Sequence, residues 1–300
     1  MTEHSPLREE DGELARKRPR DRVLVYATVL CTLVSLTVVL WRPWENAPGT
    51  DRGGPRVECS SGDRQLAASL SRDIGRAVER HPGHIAVAIH ERIGNTTCTY
   101  DSARRFDSAS VVKIAVLGAL LRRAEDEGRE LTWDEQELAA RMIEQSDNEA
   151  TTELWHRLGV ARISGFLGMI GATTTVPDRD GVWGLTQTSA ADQIKLLAVL
   201  AYDNPVVHEG SRAKAAEMMS RVTESQRWGV TAGAHDKESA YLKNGWLQRS
   251  SGSWRVHSVG FFRGGRSEYS IAVLTEGKPT MRKSIQAIEV VSRAVHAELA

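Results

Sequence analysis

Asp107-Ser108-Ala109-Ser110-Val111-Val112-Lys113, running into Ile114-Ala115-Val116-Leu117-Gly118-Ala119-Leu120-Leu121, is the stretch from which the rest of the chain can be read. Val112, Val116, Ala119 and Leu120 recur at helical spacing, Asp107 and Ser108 are good N-cap residues, and Arg122 and Arg123 carry charge that suits a helix C-terminus. A helix starting here puts Ser110 in its first turn and Lys113 three residues on, along the same face. That pair suits nucleophilic catalysis. A serine hydroxyl is a weak nucleophile until a base takes its proton, and a lysine desolvated by burial is such a base. Backbone N–H groups at a helix N-terminus can also hold a developing oxyanion. A Ser and a Lys three apart also arise by chance, so the stretch needs support from elsewhere in the chain.

Upstream, Arg16, Lys17, Arg18, Arg20 and Arg22 precede an uncharged run from Val23 to Trp41, long enough for roughly 28 Å of helix, about one hydrocarbon core. No small-x-small cleavage site follows closely, and Arg42-Pro43-Trp44 reads as an interfacial stop. A single membrane-spanning helix over 23–41 is therefore expected in preference to a cleaved signal peptide. Leu30 precedes Cys31 where a lipoprotein signal needs a small residue, which argues against a lipid on Cys31. Residues 1–22 are then a basic, disordered cytoplasmic tail, and everything after Trp44 lies outside the cell membrane. Residues 42–62, rich in Gly, Pro and Ser, read as a linker, leaving 63–300 as one folded unit that needs no second core.

With 39 basic and 39 acidic residues the formal net charge is zero, so no global field favours nucleic acid. Cys59 and Cys98 fall on the oxidising side. They can form a disulfide that ties the start of the domain to an early strand, or remain two thiols. His81 and His84, without further ligands, read as surface residues before a strand, and neither a metal nor a cofactor is expected.

Asp63 caps a helix whose apolar face is Leu66, Leu70, Ile74, Ala77 and Val78, and strands follow over His84 to Arg92 and Thr97 to Asp101. Thr132-Trp133-Asp134-Glu135 is a capping box opening a helix through Leu138, Met142 and Ile143; further helices span Glu149 to Leu158 and Val160 to Ile170. Thr173 to Thr188, punctuated by Pro177, Gly181 and Gly184, is a long loop of the kind that is usually functional or disordered. Ser189 caps a helix through Ile194, Leu197 and Leu200, and another spans Ser211 to Val222. Three strands, Ala240 to Trp246, Trp254 to Phe262 and Tyr269 to Thr275, precede an amphipathic helix over Met281 to Leu299. Strands at both ends with helices between them predict an α+β fold: one antiparallel sheet built from N- and C-terminal strands, flanked by helices, beside an all-helical lobe.

Three stretches now stand in order: Ser110-Val111-Val112-Lys113 at a helix start, Ser146-Asp147-Asn148 between two helices, and Lys243-Asn244-Gly245 on the first C-terminal strand. Together with the element order they resemble the penicillin-recognising serine enzymes, most closely the class A β-lactamase-like branch, over nearly all of 63–300. The resemblance implies a β-lactamase/transpeptidase-like fold in which Ser110 is acylated and Lys113 accepts its proton. It implies that Ser146 passes a proton to the leaving nitrogen and that Lys243 adds positive potential across the cleft. Asn148 would hold Lys113 and the substrate amide, while the N–H groups of Ser110 and Trp246 form an oxyanion hole. Asn244, Gly245 and Arg255 complete the implied substrate site, Arg255 either receiving a carboxylate or standing as a strand-end arginine in solvent. The implied substrate is a β-lactam or a D-alanyl peptide of the cell wall, and the implied protein a monomer held to the membrane by one helix.

Three departures from the resemblance bear on turnover. Asn244 stands where a Thr or Ser is usual, and the stretch between Lys113 and Ser146 is short, which trims the helical lobe. The loop Thr173 to Thr188 contains no Glu to activate water for deacylation. Asp180, beyond Val176-Pro177-Asp178-Arg179, is the candidate substitute base, but it is one methylene shorter, and about an ångström of misplacement can cost about a hundredfold in rate. Acylation without rapid hydrolysis is therefore expected. The alternatives are an active β-lactamase using a substitute base and a catalytically silent wall-binding module. A Ser-His-Asp hydrolase is disfavoured because no G-x-S-x-G occurs and His257 lies within a strand.

Overall fold

Pairing between distant parts of the chain organises the structure. The computed structural model describes residues 56–235, 239–263 and 268–300. The expected membrane helix over 23–41 lies outside these residues, and among the described residues no helix is long and apolar enough to cross a membrane.

The described chain begins with β1 (Glu58–Ser60), inside the stretch expected to be linker. It pairs with β3 (Thr96–Tyr100), with Cys59 opposite Cys98, and these two cysteines form a disulfide. Three residues carry too little pattern to announce a strand, which is why the linker reading overran. Asp63 caps α1 (Arg64–Glu79) by accepting from the N–H groups of Gln65 and Leu66. β2 (His84–Glu91) then pairs with β3 on one side and, on the other, with β8 (Tyr269–Lys278), in a register that sets Ala88 opposite Ala272, 184 residues later. Val87, Ala88 and Ile89 are buried, as a central strand covered on both faces requires.

The sheet has the order β1-β3-β2-β8-β7-β6, antiparallel throughout, with β6 (Ser239–Gln248) at one edge beside β7 (Trp254–Arg263). α7 (Met281–Leu299) covers one face with α1, burying Ile288, Val291 and Val295. The antiparallel sheet with helices around it is the α+β architecture expected from the element order.

Between β3 and β6 the chain is mainly helical. β4 (Phe106–Asp107) comes first, followed by a 3-10 turn, Ala109–Val112, and only then α2 (Lys113–Asp126). The helix therefore starts later than its residues predict: Asp107 is in a strand, and Ser108 makes no side-chain cap bond. α2 is buried from Lys113 through Leu121, and so reads as a core helix, apolar on all sides. α3 (Trp133–Glu144) opens with the capping box of Thr132 and Glu135, both halves of it present. Asp147 caps α4 (Asn148–Met169), a continuous assignment that breaks at Gly159, whose φ of 72° accounts for the two separate helices expected there.

The long loop carries more structure than its sequence shows. β5 (Gln187–Thr188) pairs with β4, Val176 bridges Gln187, and Trp183–Leu185 forms a 3-10 turn. The base of the loop is held by the buried Asp192, which accepts from the N–H and hydroxyl of Thr175. Asp192 belongs to α5 (Ala190–Ala201), and α6 (Glu209–Ser220) completes the helical part.

Candidate active site

Ser110 sits in the 3-10 turn between β4 and α2, and that turn is pressed against β6 at Gly245. A Cβ built on Gly245 lies 2.8 Å from the Ser110 nitrogen and 2.9 Å from the Val111 nitrogen, so only glycine lets the strand approach. Ala109, just before Ser110, has φ 46°, and Ser146 has φ 58°: two non-glycine residues in the left-handed region at one site. Such conformations cost of order 1–3 kcal/mol each and cluster where function fixes the backbone. Beneath the turn, His257 of β7 stands opposite Gly245, is fully buried, and donates from Nε2 to the Asp107 carbonyl at 2.8 Å while Nδ1 accepts from the Thr275 N–H at 3.3 Å. Both ring nitrogens are satisfied in the neutral form. Burial holds its pKa down to about 4.

Behind Ser110, Lys113 has no exposed surface. Its Nζ donates to the Ser146 carbonyl at 2.7 Å, to Asn148 Oδ1 at 3.0 Å and to Ser146 Oγ at 3.1 Å. Lys243, equally buried, comes from β6 and donates to the same Ser146 Oγ at 2.9 Å and to the Asn244 carbonyl at 3.0 Å. Three segments far apart in sequence thus meet at one hydroxyl. Desolvation lowers the Lys113 pKa to about 7, opposed by the charge of Asp147. Lys243 is held well below the usual ammonium range, first by desolvation and then by the charge of Lys113. All the oxygens that Lys113 contacts are carbonyl, amide or hydroxyl oxygens, and Asp147 is itself bound by Arg141 at 2.6 Å.

Ser110, Ser146 and Asn148 open onto a cleft of about 500 Å³ whose other walls include Trp183, Gln226 and Trp246. Trp246 packs against Trp228 with ring centroids 6.0 Å apart. The Trp183 ring lies over Lys113, its centroid 4.9 Å from Nζ, and its Nε1 donates to Thr152 Oγ1 at 3.1 Å.

Residues 127–299 match the beta-lactamase enzyme family, more than half of the sequence. The chain belongs to that family. A relative in Mycobacterium tuberculosis named as a putative lipoprotein, LppW, is 26% identical over an alignment of 189 residues that covers 59% of this chain and 58% of that protein. The chain therefore spans less than two thirds of the length of the curated relatives it matches. Among solved structures, a beta-lactamase from Chitinophaga pinensis superposes with a TM-score of 0.67 at 16% identity, covering 76% of this chain and 98% of that one. The TLA-3 extended-spectrum beta-lactamase gives 0.68 at 15% identity, covering 77% and 98%. A variant of PBP-A captured as an acyl-enzyme with penicillin G gives 0.66 at 21% identity, covering 77% and 96%. The shared fold is that of the beta-lactamases, and family and fold together support a serine hydrolase.

Within this beta-lactamase fold three expected site residues stand elsewhere. Asn244 is fully buried, and its Nδ2 donates to the carbonyls of Gln226 and Trp228 at 2.7 and 3.0 Å, so the amide ties down the neighbouring segment instead of facing the cleft. Arg255 is neither solvated nor free: its side chain is 14% exposed and lies between Glu276, at 2.5 Å, and Asp107, at 3.3 Å. Asp180 is exposed, and the loop residues that line the cleft are Gly181 to Gly184 beyond it. Its carboxylate is therefore not part of the cleft wall. Trp183, Gln226 and Trp228 were not singled out by sequence; an unusual indole inside a Gly-rich loop is the one signal that points to Trp183.

Proposed function

We propose that this member of the beta-lactamase family is a serine acyl-enzyme former that takes β-lactams, or the D-alanyl peptides they mimic, and releases the acyl group slowly. The observation that carries the reading is the Ser146 hydroxyl held between two buried amines beside the Ser110 turn. With its Lys113 pKa lowered to about 7, the site has a substantial share of neutral amine near neutral pH, where an ordinary lysine is almost all ammonium. Ser110 Oγ attacks the acyl carbon as its proton passes to Lys113. The oxyanion forms beside the backbone N–H of Ser110, in the turn that Gly245 lets β6 approach. Ser146 Oγ uses both lone pairs to accept from Lys113 and Lys243, so its own proton is the one available to the leaving nitrogen, and Lys113 replaces it.

Slow release is supported by the wall of the cleft. None of the described residues lining it is an Asp or a Glu, and the position over Lys113 is taken by the Trp183 ring. Hydrolysis of the ester then lacks a carboxylate to take a proton from water. The Cys59–Cys98 disulfide supports an oxidising compartment, and the lipoprotein name of the M. tuberculosis relative supports a tethered protein with its domain outside the cytoplasm.

A fluorescent penicillin tests the reading. It is expected to label the full-length protein stoichiometrically and to leave Ser110→Ala unlabelled. Absence of label on a folded wild-type protein contradicts the proposal.

A further inference from the structure

β6 gives the cleft a direction. Lys243 reaches the Ser146 hydroxyl, the proposed donor to the leaving nitrogen, and Gly245 meets the Ser110 turn. Leu247 follows in the cleft wall. The leaving half of a substrate therefore lies toward Lys243, and the acyl half extends the other way, past Leu247. Side chains alternate along a strand, so the next residue on the face of Lys243, Gly245 and Leu247 is Arg249, roughly 14 Å of strand beyond Gly245.

At that end of the cleft the charge of Arg249 is only partly matched. Among the described residues its guanidinium makes no hydrogen bond, and its ion pair to Asp107 Oδ2 is 3.5 Å long. Asp107 is committed elsewhere: Oδ1 accepts from Gln187 Nε2 at 2.8 Å, and Oδ2 lies 3.3 Å from Arg255. The Arg249 side chain is 41% exposed and the Asp107 side chain behind it 13%, so an anion arriving from solvent meets the guanidinium first.

We infer that Arg249 is a subsite for the acyl half of the substrate, receiving a carboxylate carried several bonds from the reacting carbonyl. The preferred acyl donor is then an acidic one, a peptide or amide with a free acid on its acyl side, over the same donor with that acid amidated. The inference rests on the proposed role of Ser110 and concerns the acyl half alone; the leaving half, with any carboxylate of its own, faces the Lys243 end. In the reaction Ser110 Oγ bonds to the acyl carbon and the bond from that carbon to the leaving nitrogen breaks. The serine proton goes to Lys113, the Ser146 proton goes to the leaving nitrogen, and Lys113 replaces it. The carboxylate at Arg249 takes no part in the bond changes and acts through binding.

Two penicillins with the same nucleus separate the possibilities, one with an adipoyl side chain ending in a free carboxylate and the other with that end as the carboxamide. Acylation of the full-length protein is followed by intact mass at neutral pH, and each protein is read as its own ratio of the two rates. In the wild type the carboxylate is expected to react about three- to fivefold faster, the size of a half-exposed ion pair, and the ratio is expected to shrink in high salt. In Arg249→Gln the ratio is expected to fall to one or below, because Asp107 then faces the anion. Arg249→Glu is expected to move the preference to a side chain of the same length ending in an ammonium group. Equal rates in the wild type, or a preference for the carboxylate untouched in Arg249→Gln, overturn the inference while leaving Ser110 as the nucleophile. No adduct from either penicillin overturns the nucleophile assignment itself and this inference with it.

Discussion

In the proposed mechanism Lys113 is the base that sets when the site is active. Its lowered pKa, about 7, predicts that acylation by a β-lactam rises with pH between about 6 and 8, half-maximal near 7, in stopped-flow measurements. A rate that stays flat until pH 10 contradicts the assignment of the base. The same depression has a sign for stability. Between pH 7 and the ordinary lysine value of 10.5 the unfolded chain binds this proton and the folded one does not, so Lys113 adds stability as pH rises through that window. The sequence order of Ser110, Lys113, Ser146 and Lys243 pointed to one place, and the structure brings Lys113 and Lys243 together at Ser146 Oγ. Asn244, Arg255 and Asp180 could not be placed, because where a side chain turns depends on partners such as the Gln226 carbonyl or Glu276 that lie far away in the chain.

Among elements, the pairing of β6 with β7 holds the Ser110 turn in place. Gly245 abuts the backbone of the turn and His257, across the ladder, holds the carbonyl of Asp107. Gly245→Ala places a methyl group against backbone nitrogens that have no room to give. It is expected to cost about 1–3 kcal/mol in urea unfolding and to slow acylation far more than stability alone explains. Acylation at the wild-type rate contradicts the close approach. For His257, the folded value near 4 lies below the ordinary 6.5, so the unfolded state takes up the proton first as pH falls. Stability is therefore lost from about pH 6.5 down to 4, by about 3 kcal/mol in all. The His257→Gln variant is expected to show a correspondingly flatter fall in urea midpoint over that range. An unchanged profile contradicts a buried neutral histidine. Helices were legible at their caps, Asp63, Thr132 and Ser189, since capping is local chemistry. The short strands β1, β4 and β5 were not, since two or three residues show no period and owe their conformation to a partner strand.

Among the described residues the sheet joins the N-terminal strands β1 to β3 with the C-terminal strands β6 to β8, and the helical part is an insertion between them. The alternation of strands and helices along the chain made that architecture readable. The pairing of Cys59 with Cys98 needed the register of β1 against β3, which the sequence left open. The bridge is separated by 39 residues, and removing it with Cys98→Ser is expected to cost about 2 to 4 kcal/mol, read as a lower urea midpoint. Identical midpoints with and without reductant contradict a structural role. The central claim concerns the fate of the acyl group. A chromogenic cephalosporin mixed with the full-length protein tests it most directly: the account predicts a burst of one equivalent, absent in Ser110→Ala, followed by turnover slower than the burst by orders of magnitude. Sustained hydrolysis at the burst rate, or no burst from a folded protein, contradicts it.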